Sequence, residues 1–378
     1  EFEDVRLVGA PPSAIGKFGG DTDNWMWPRH TGDFSVFRIY ADKDNKPAPY
    51  SKDNVPYQPK RSLEISLSGI QPGDFTMVYG YPYTTNEYLT SYAVDMMRND
   101  IYPATIDIRT AELNIINEVM NSDAALRIMY AGRQAGISNG WKKWKGVIKG
   151  LDNADVVSLK QREEHQFINK LSPKSGWKEQ NGELLGTFET TYSSFDNLSS
   201  WRNVFSEALY RNGFFRLIFK SYGLKDDRVR NDEERVNTIA ADIAKAGDNY
   251  FKDIDLETEK RIFAVMIEQF INHVPDEELP PVVKKIKGKY KGDYKRFVEK
   301  SFKKSIFSSP GKISSFFEGY STRKLKKLQR DPFFEFMAGV IDHYFAYFAP
   351  QIQQSTLIID SLNRIYMKAR LELMPESI

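Results

Sequence analysis

The segment from Gly19 to Asp42, GGDTDNWMWPRHTGDFSVFRIYAD, places an acid, Asp33, directly before a run of alternating apolar and polar residues. A buried carboxylate can accept a hydrogen bond from a histidine, fix its tautomer and stabilise the imidazolium that forms when a serine attacks its substrate. Three nearby aromatic residues could provide the apolar surroundings that this role needs: Trp25, Trp27 and Phe34. The alternative is that Asp33 only caps a turn after Gly32. Asp33 is therefore the first candidate for a catalytic acid.

Two other patterns resemble parts of an active site but lack the required context. The stretch GISNG, from Gly136 to Gly140, satisfies G-x-S-x-G, in which Ser138 would be a nucleophile on a sharp turn between a strand and a helix. The preceding residues, AALRIMYAGRQ, have helical spacing, so we do not expect an esterase site. His30 is close to Asp33 on one predicted loop, so we do not expect it to be the base. Three further histidines lie on helical patterns without ligand spacing: His165, His273 and His343.

Glycine- and aspartate-rich stretches also fall short of ligand-binding motifs. GKFGG, from Gly16 to Gly20, is not followed by the Lys-Ser or Lys-Thr pair of a phosphate loop, and no glutamate closes a calcium loop after DTDN, from Asp21 to Asn24. The absence of cysteine excludes a disulfide framework, a thiolate metal site and a cysteine nucleophile. We therefore expect no metal and no cofactor.

A basic run from Lys284 to Ser305, KKIKGKYKGDYKRFVEKSFKKS, holds ten Lys or Arg residues against two acids. Cations interleaved with aromatic residues suit a nucleic-acid backbone and its bases. The alternative that we favour is an amphipathic helix with a solvated basic face and with Phe297 and Phe302 turned inward. A third hypothesis is that the patch attracts acidic peptides and raises the rate at which they associate.

The overall composition adds little evidence for a charged partner. Lys and Arg number 53 against 51 Asp and Glu, a formal net charge of +2, so no global field favours nucleic acid or an acidic membrane. No apolar run approaches the ~20 residues that a membrane-spanning helix needs. We therefore expect neither a nucleic-acid partner nor a membrane span.

The kind of pattern changes near residue 85. Before it, alternating segments predict strands: VRLV from Val5, DFSVFRIYAD from Asp33, RSLEISLSG from Arg61 and FTMVYGYP from Phe75. After it, apolar residues recur with helical spacing, and Asp123 with its preceding serine predicts the start of one helix. We predict an α+β protein with a β-rich segment over residues 1–85 and a mostly α-helical domain over residues 86–378.

Longer motifs in the β-rich segment resemble a known family. ISLSGIQPGDFTMVYGYP, from Ile65 to Pro82, has the order of strands and turns with which chymotrypsin-like proteases end their first β-barrel. GKFGGDTDNWMWPRHTGDFSVFR, from Gly16 to Arg38, closely resembles the signature of the bacterial serine dipeptidyl peptidases, and so does VRLVGAPPSAIGKFGG before it. The resemblance continues into the helices through ISNGWKKWKG, from Ile137 to Gly146.

This resemblance implies the fold, the activity and the site residues. It implies the C-terminal part of a chymotrypsin-like barrel followed by a helical cap domain, in a periplasmic or cell-surface protein of a Gram-negative bacterium, and it suggests a homodimer. Peptides with a free N-terminus would lose dipeptides through an acyl-enzyme. Asp33 matches the triad acid, Asn24 and Trp25 match residues that hold the substrate's amino terminus, and Asn139 matches a helical-domain asparagine that shares this task. Without the resemblance, Asn24 would be a loop cap and Asn139 a helix-surface residue.

The chain also departs from the family, because neither the motif of the triad histidine nor that of the nucleophilic serine occurs in it. We therefore expect an internal fragment that is inactive alone. The alternative from another class is a non-catalytic helical interaction module with a basic patch from Lys284 to Lys304. A third interpretation, an independent hydrolase that uses Ser138, predicts activity in this chain alone. Nothing in the sequence selects between an acidic and an apolar preference beside the scissile bond.

Overall fold

The computed structural model describes residues 1–20, 22–23, 26, 28, 30–64, 66–77, 86–171 and 182–377 of the 378-residue chain. The chain divides into two compact units, Glu1–Tyr83 and Thr84–Ile378. The first contains a small antiparallel sheet and the second is helical, so the chain is an α+β protein.

The sheet of the Glu1–Tyr83 unit has three strands in the order β1-β2-β3. Its elements are β1 Val5–Gly9, α1 Ser13–Gly16, β2 Val36–Ala41 and β3 Val55–Pro56. The central strand, β2, pairs antiparallel with both neighbours, and Val5 of β1 lies opposite Ile39. The sequence patterns of the first two strands therefore predicted real strands.

A buried carboxylate fastens the start of this sheet to a loop. Asp4 is only 2% exposed and accepts hydrogen bonds from Nε and Nη2 of Arg6 at 2.9 and 2.8 Å. The Asn54 amide donates to the same carboxylate at 2.9 Å, and Arg6 also donates to the carbonyl oxygen of Ser51 at 2.8 Å. The hydrogen bonds from Arg6 lower the pKa of Asp4 to about 2.

The third predicted strand, RSLEISLSG from Arg61, is wrong. Residues 61–64 and 66–69 form no ladder, and the side chains of Leu63 and Leu67 are 92% and 94% exposed. Alternation marks a strand only where a neighbour pairs its backbone and a second layer covers its apolar face. The described residues of this unit supply neither for this segment. Most of the fourth predicted strand, FTMVYGYP, lies outside the described residues.

The described part of the Thr84–Ile378 unit is mostly helical. Its α-helices, among the described residues, are α2 Ser91–Met96, α3 Tyr102–Ser122, α4 Ala124–Asn153, α5 Val156–Leu171, α6 Leu184–Val204, α7 Gly213–Phe219, α8 Asp227–Arg230, α9 Glu233–Lys252, α10 Leu256–His273, α11 Pro281–Tyr290, α12 Tyr294–Lys304, α13 Pro310–Phe317, α14 Leu325–Gln329, α15 Pro332–His343 and α16 Ala349–Leu373. Short 3₁₀ turns lie at Tyr222–Lys225, Asp276–Glu278, Ile306–Ser308, Thr322–Lys324 and Pro375–Ser377. None of the described helices is long and apolar enough to cross a membrane.

Local signals set several helix boundaries. The side chain of Asp123 accepts hydrogen bonds from the backbone N–H groups of Ala125 and Leu126, which confirms the predicted start of α4. In the described part of the chain, π-helical turns lie at three places: Met97–Ile101 joins α2 to α3, Phe205–Tyr210 extends α6, and Tyr344–Phe348 joins α15 to α16. Such turns add a residue to the helix without ending it.

The core of the helical unit is rich in aromatic side chains. Trp201 is 2% exposed and stacks on Phe348 with ring centroids 4.2 Å apart. A second cluster joins four rings from different helices: Phe214, Phe263, Phe302 and Phe333. Offset and edge-to-face pairs of this kind add to the free energy gained from burial.

The basic run forms two helices, α11 and α12, rather than the single amphipathic helix that we predicted. The chain turns at Lys291 and Gly292, whose φ angles are 47° and 94°. This left-handed backbone ends α11, and Asp293 caps α12. The expected inward orientation of Phe297 and Phe302 is confirmed, because they are 6% and 7% exposed.

Candidate functional site

Asp33 lies three residues before the first residue of β2 and is exposed. The preceding residues are tied to α1 and the turn after it: the backbone N–H of Gly32 donates to the carbonyl oxygen of Ile15 at 3.0 Å, and the Thr31 hydroxyl donates to that of Phe18 at 3.3 Å. A Cβ atom at position 32 would lie 3.0 Å from Cγ2 of Ile15, so glycine suits this close approach. The loop therefore presents Asp33 at the entrance to β2.

The other residues of the signature are only partly described. Asn24 and Trp25, the predicted anchors of the substrate's amino terminus, lie outside the described residues, as do Trp27 and Arg29. His30 is exposed and its ring meets the edge of Phe18 at 6.5 Å between centroids. No hydrogen bond or ion pair joins the described side chains of His30 and Asp33, so the structure offers no support for His30 as a base.

Asn139 lies on the exposed face of α4, one residue after the buried pair Ile137 and Ser138. The opposite face of this helix packs on α3, where the Trp141 indole N–H donates to the Thr110 hydroxyl at 2.8 Å. The packing of α4 on α3 therefore fixes the backbone that carries Asn139. That arrangement suits a side chain that must hold a small polar group in one position.

Arg109 on α3 fixes the backbone next to Asn139. It forms a bidentate pair with Glu207, on the π-helical turn after α6, at 2.8 and 3.1 Å, and it donates to the carbonyl oxygen of Ile137 at 3.3 Å. Its guanidinium carbon lies 4.3 Å from the ring centroid of Trp144. A Cβ atom at Gly140 would lie 2.4 Å from Nη1 of Arg109, so a larger residue there would displace the guanidinium group.

A network of buried ions continues from there to α10. Arg133 donates to Glu259 at 2.6 Å and to Glu112 at 2.8 Å, and Arg211 forms a further ion pair with Glu112. Tyr130 donates to Glu259 at 2.9 Å. Burial alone would raise the pKa of Glu112, but the guanidinium groups of Arg211 and Arg133 outweigh it, so that the pKa lies below its usual value. The side chains of the network therefore remain charged, and their ion pairs hold α3, α4 and α10 together.

The remaining polar candidates, Ser138 and three histidines, are engaged in packing or in hydrogen bonds with the backbone. Ser138 is 4% exposed in the middle of α4, which confirms that it does not sit on a strand-to-helix turn. The ring nitrogens of His165, His273 and His343 each lie within hydrogen-bond distance of a backbone carbonyl oxygen: Gln161 at 2.7 Å, Gln269 at 3.0 Å and Glu278 at 3.0 Å, respectively. Within the described part of the chain, no three His, Asp or Glu side chains are grouped as metal ligands.

The sequence pattern of the family described as Peptidase S46 matches residues 1–377. The chain belongs to the peptidase S46 family. It is 40% identical over 377 residues to an Asp/Glu-specific dipeptidyl-peptidase of Flavobacterium psychrophilum. That alignment covers 100% of this chain and 52% of the relative. It is 34% identical over 351 residues to dipeptidyl-peptidase 7 of Capnocytophaga gingivalis, covering 91% of this chain and 48% of that protein.

Solved structures agree with this assignment. The crystal structure of Porphyromonas endodontalis DPP11 in complex with the dipeptide Arg-Glu matches 99% of this chain and 53% of that chain, with a TM-score of 0.76 and 30% identity. This S46 family member thus spans about half the length of the curated relatives that it matches. The family resemblance drawn from the signature of Gly16 to Arg38 is therefore confirmed.

In this S46 family member, Asp33 and Asn139 stay predicted site residues, and the sequence did not indicate the residues that pack behind Asn139. Arg109 and Glu207 are 98 positions apart, and Arg133 and Glu259 are 126 apart. Charges on separate helices carry no spacing that links them. The one local signal was Gly140, a glycine in a helical pattern, which indicates close packing when the helix retains it.

Proposed function

We propose that this S46 family member is the part of a serine dipeptidyl peptidase that supplies the acid of the catalytic triad and the anchors for the substrate's amino terminus. The observation that carries the proposal is the family match across both units, residues 1–377, together with relatives named dipeptidyl-peptidases that cover the whole chain. It names peptides with a free N-terminus as substrates and a dipeptide as the product.

The proposed reaction uses acyl-enzyme chemistry. A serine attacks the carbonyl carbon of the second substrate residue while a histidine takes the serine proton and then gives it to the leaving amine. Water, activated by the same histidine, then hydrolyses the acyl-enzyme, which releases the dipeptide and restores the serine hydroxyl. Asp33 accepts a hydrogen bond from that histidine and stabilises the imidazolium. We place the serine and the histidine in a longer parent protein, because neither expected motif occurs among these 378 residues.

We propose further that the Glu1–Tyr83 unit is part of a chymotrypsin-like β-barrel. In support, β2 pairs antiparallel on both sides, and the apolar side chains of Leu63 and Leu67 stand exposed where further strands could cover them. Strands of a closed barrel alternate between interior and exterior. Further strands would cover these side chains and could bury Asp33, as a triad acid requires.

The amine anchors explain why the proposed product is a dipeptide. Amide and backbone carbonyl oxygens can accept hydrogen bonds from an ammonium group without forming an ion pair. We assign this task to Asn24, Trp25 and Asn139. An anchor two residues from the scissile bond measures off two residues, and it excludes peptides whose amino terminus is blocked.

The proposal is tested by hydrolysis of fluorogenic dipeptidyl substrates, with acidic and apolar residues beside the scissile bond, each with a free or an acetylated N-terminus. We expect activity in a protein extended at both ends, loss of that activity on acetylation, and no activity in the 378-residue chain. Activity in the 378-residue chain alone would overturn the assignment and reopen Ser138 as a nucleophile. An extended protein that is inactive on every substrate would favour the non-catalytic interaction module.

The anchor role of Asn139 has a matched control on the same helix. In the extended protein we expect Asn139→Ala to raise KM for free peptides by about tenfold or more, because a hydrogen bond to a charged group contributes about 1.5–3 kcal/mol. Asn153→Ala, at an exposed position near the end of α4, should leave KM unchanged. Equal effects of the two substitutions would remove Asn139 from the site.

Two further parts of the proposal rest on the family resemblance. We propose that the parent protein acts in the periplasm or at the cell surface of a Gram-negative bacterium, and that it forms a homodimer. Fractionation of the native host, and light scattering on the purified parent protein, test these statements. A cytosolic or a monomeric parent protein would contradict the respective statement.

A further inference from the structure

The two helices of the basic run enclose a groove with an apolar floor and a cationic rim. The groove lies between α11, α12 and α15 and has a volume of about 540 Å³. Its floor includes Val282, Ile286, Tyr290 and Phe297. Its rim carries five lysines against one acid, Glu335, which already pairs with Lys285 at 3.3 Å. The lysines are Lys285, Lys289, Lys300, Lys303 and Lys304.

A second basic groove adjoins the first. It has a volume of about 510 Å³, shares Lys304 with the first groove, and has Ile306 and Phe316 among its apolar lining residues. Lys312, Lys324 and Lys327 complete its cationic side, and none of its lining residues is acidic. The two grooves therefore form a continuous basic surface, which we call the lysine groove.

Much of the positive charge of the lysine groove is not neutralised from within the fold. Among the residues that the structure describes, no carboxylate forms an ion pair with Lys289, Lys300, Lys303 or Lys304. Outside the groove, by contrast, Lys287 of α11 pairs with Asp276. Unpaired exposed cations around an apolar floor attract a ligand that carries several anionic groups and some apolar surface.

We propose that the lysine groove binds acidic segments of polypeptides. Every cation that lines it is a lysine, whereas phosphate recognition favours the bidentate fork of arginine. Of the three aromatic rings that line the lysine groove in the described part of the chain, Phe297 and Phe316 are 6% and 7% exposed and are not available for stacking on bases, which leaves only the half-buried Tyr290. A peptide instead offers carboxylates at intervals along a chain and small apolar side chains for the floor. These observations favour an acidic peptide over a nucleic acid.

The inference rests on the proposed function for its biological use, and it adds to that function a second surface that contacts the body of the peptide. Its binding step is separable from hydrolysis, because the groove would contact the body of the peptide rather than its amino terminus. An acetylated peptide should therefore bind the groove although the proposed peptidase could not cleave it. Failure of one proposal can in this way be distinguished from failure of the other.

The test is fluorescence anisotropy with the 378-residue chain and an N-acetylated, labelled peptide in which Glu alternates with Ala and Leu. We expect saturable binding that weakens as salt is raised, and no comparable binding of the same peptide with Gln in place of Glu. Substituting four groove lysines by glutamine should weaken binding by about tenfold, since each exposed ionic contact adds a small increment. The four are Lys289, Lys300, Lys303 and Lys304.

The matched control removes the same charge from exposed lysines that line neither groove: Lys149, Lys220, Lys245 and Lys252. It should retain near wild-type affinity. If both sets of substitutions weaken binding equally, the overall charge of the chain explains the binding, and the proposal is overturned. Tighter binding of a single-stranded oligonucleotide of equal charge, lost in the groove variant, would assign the surface to nucleic acid instead. Circular dichroism of both variants checks that the helices are retained.

Discussion

The two units treat their apolar side chains in opposite ways. In the Glu1–Tyr83 unit, Phe34 and Phe75 are 61% and 90% exposed, and the fully buried apolar side chain of its sheet is the small Ala41. In the helical unit, Trp201 and Phe263 are 2% and 0% exposed within a continuous core. Both units therefore carry apolar patterns, but among the described residues only the helical unit provides surfaces that cover them.

This difference separates the two described candidate residues. Asp33 is exposed, three residues before the central strand of a sheet with little core, whereas a triad acid must be buried to act on its histidine. Asn139 stands on a helix whose rear face is held by Arg109 and by packed side chains. We therefore expect changes at Asp33 to affect activity in a longer protein without affecting stability, and changes behind Asn139 to affect stability first.

The largest expected effect is that of Asp33→Asn on catalysis. In the extended, active protein we expect kcat/KM to fall about 10⁴-fold, because an amide holds the histidine in the wrong tautomer. In the 378-residue chain the same substitution should change the free energy of unfolding by less than about 0.5 kcal/mol, as for other exposed positions. Asp53→Asn, in an exposed loop of the same unit, is the control and should retain activity. Retention of most activity by Asp33→Asn would exclude it as the triad acid.

The second effect is on stability and belongs to the helical unit. Arg133→Met should lower the free energy of unfolding by about 3 kcal/mol, because it leaves the buried carboxylates of Glu112 and Glu259 short of positive charge. Arg228→Met is the control: Arg228 pairs with Asp226, but its side chain is 88% exposed, so its loss should change the free energy of unfolding far less. Denaturant unfolding followed by circular dichroism measures both. Similar losses would mean that the buried network does not stabilise the unit.

The same contrast explains how much could be predicted from the sequence. Helices depend on contacts within one turn, so their apolar spacing and the cap at Asp123 were sufficient to predict the helical domain. Strands depend on partners elsewhere, so Val36–Ala41 was found, whereas the equally regular segment from Arg61 did not form a strand. The break of the basic run at Lys291 was missed, although Gly292 and Asp293 are residue types that often end one helix and cap the next.

The candidate site was predictable only through resemblance. By its local sequence, Asn139 is an ordinary helix-surface residue, and Asp33 is an acid after a glycine. The support behind Asn139 was not predictable, because Arg109, Glu207 and Glu259 meet only after distant helices have packed. The sequence predicted a basic surface at the lysine groove but not the groove itself, because two separate helices are needed to enclose it.

A smaller effect distinguishes two glycines on α4. A Cβ atom at Gly140 would lie 2.4 Å from Nη1 of Arg109 and 2.9 Å from the Trp144 ring, whereas one at Gly136 meets nothing within 4 Å. Replacing glycine by alanine inside a helix contributes about 1 kcal/mol. Gly136→Ala should therefore stabilise the chain by about that amount, and Gly140→Ala should be at least about 1 kcal/mol less stable than Gly136→Ala. Equal thermal stabilities of the two variants would show that Arg109 yields without cost.

The smallest expected effect tests what holds the sheet of the Glu1–Tyr83 unit. Asp4 has its pKa lowered to about 2 from a usual value of 3.8, so its contribution to stability is complete above about pH 4 and is lost as the pH falls towards 2. Hydrogen exchange of β1 and β2, corrected for the intrinsic rate at each pH, should show protection that declines over this range. Asp4→Asn should already be less protected at pH 5 and change less on acidification, whereas Asp44→Asn, on an exposed turn, should follow the wild type. If Asp4→Asn retains the wild-type pH profile, the backbone hydrogen bonds of the ladder, and not the Asp4 carboxylate, hold the sheet. The two units would then also differ in whether buried charges stabilise them.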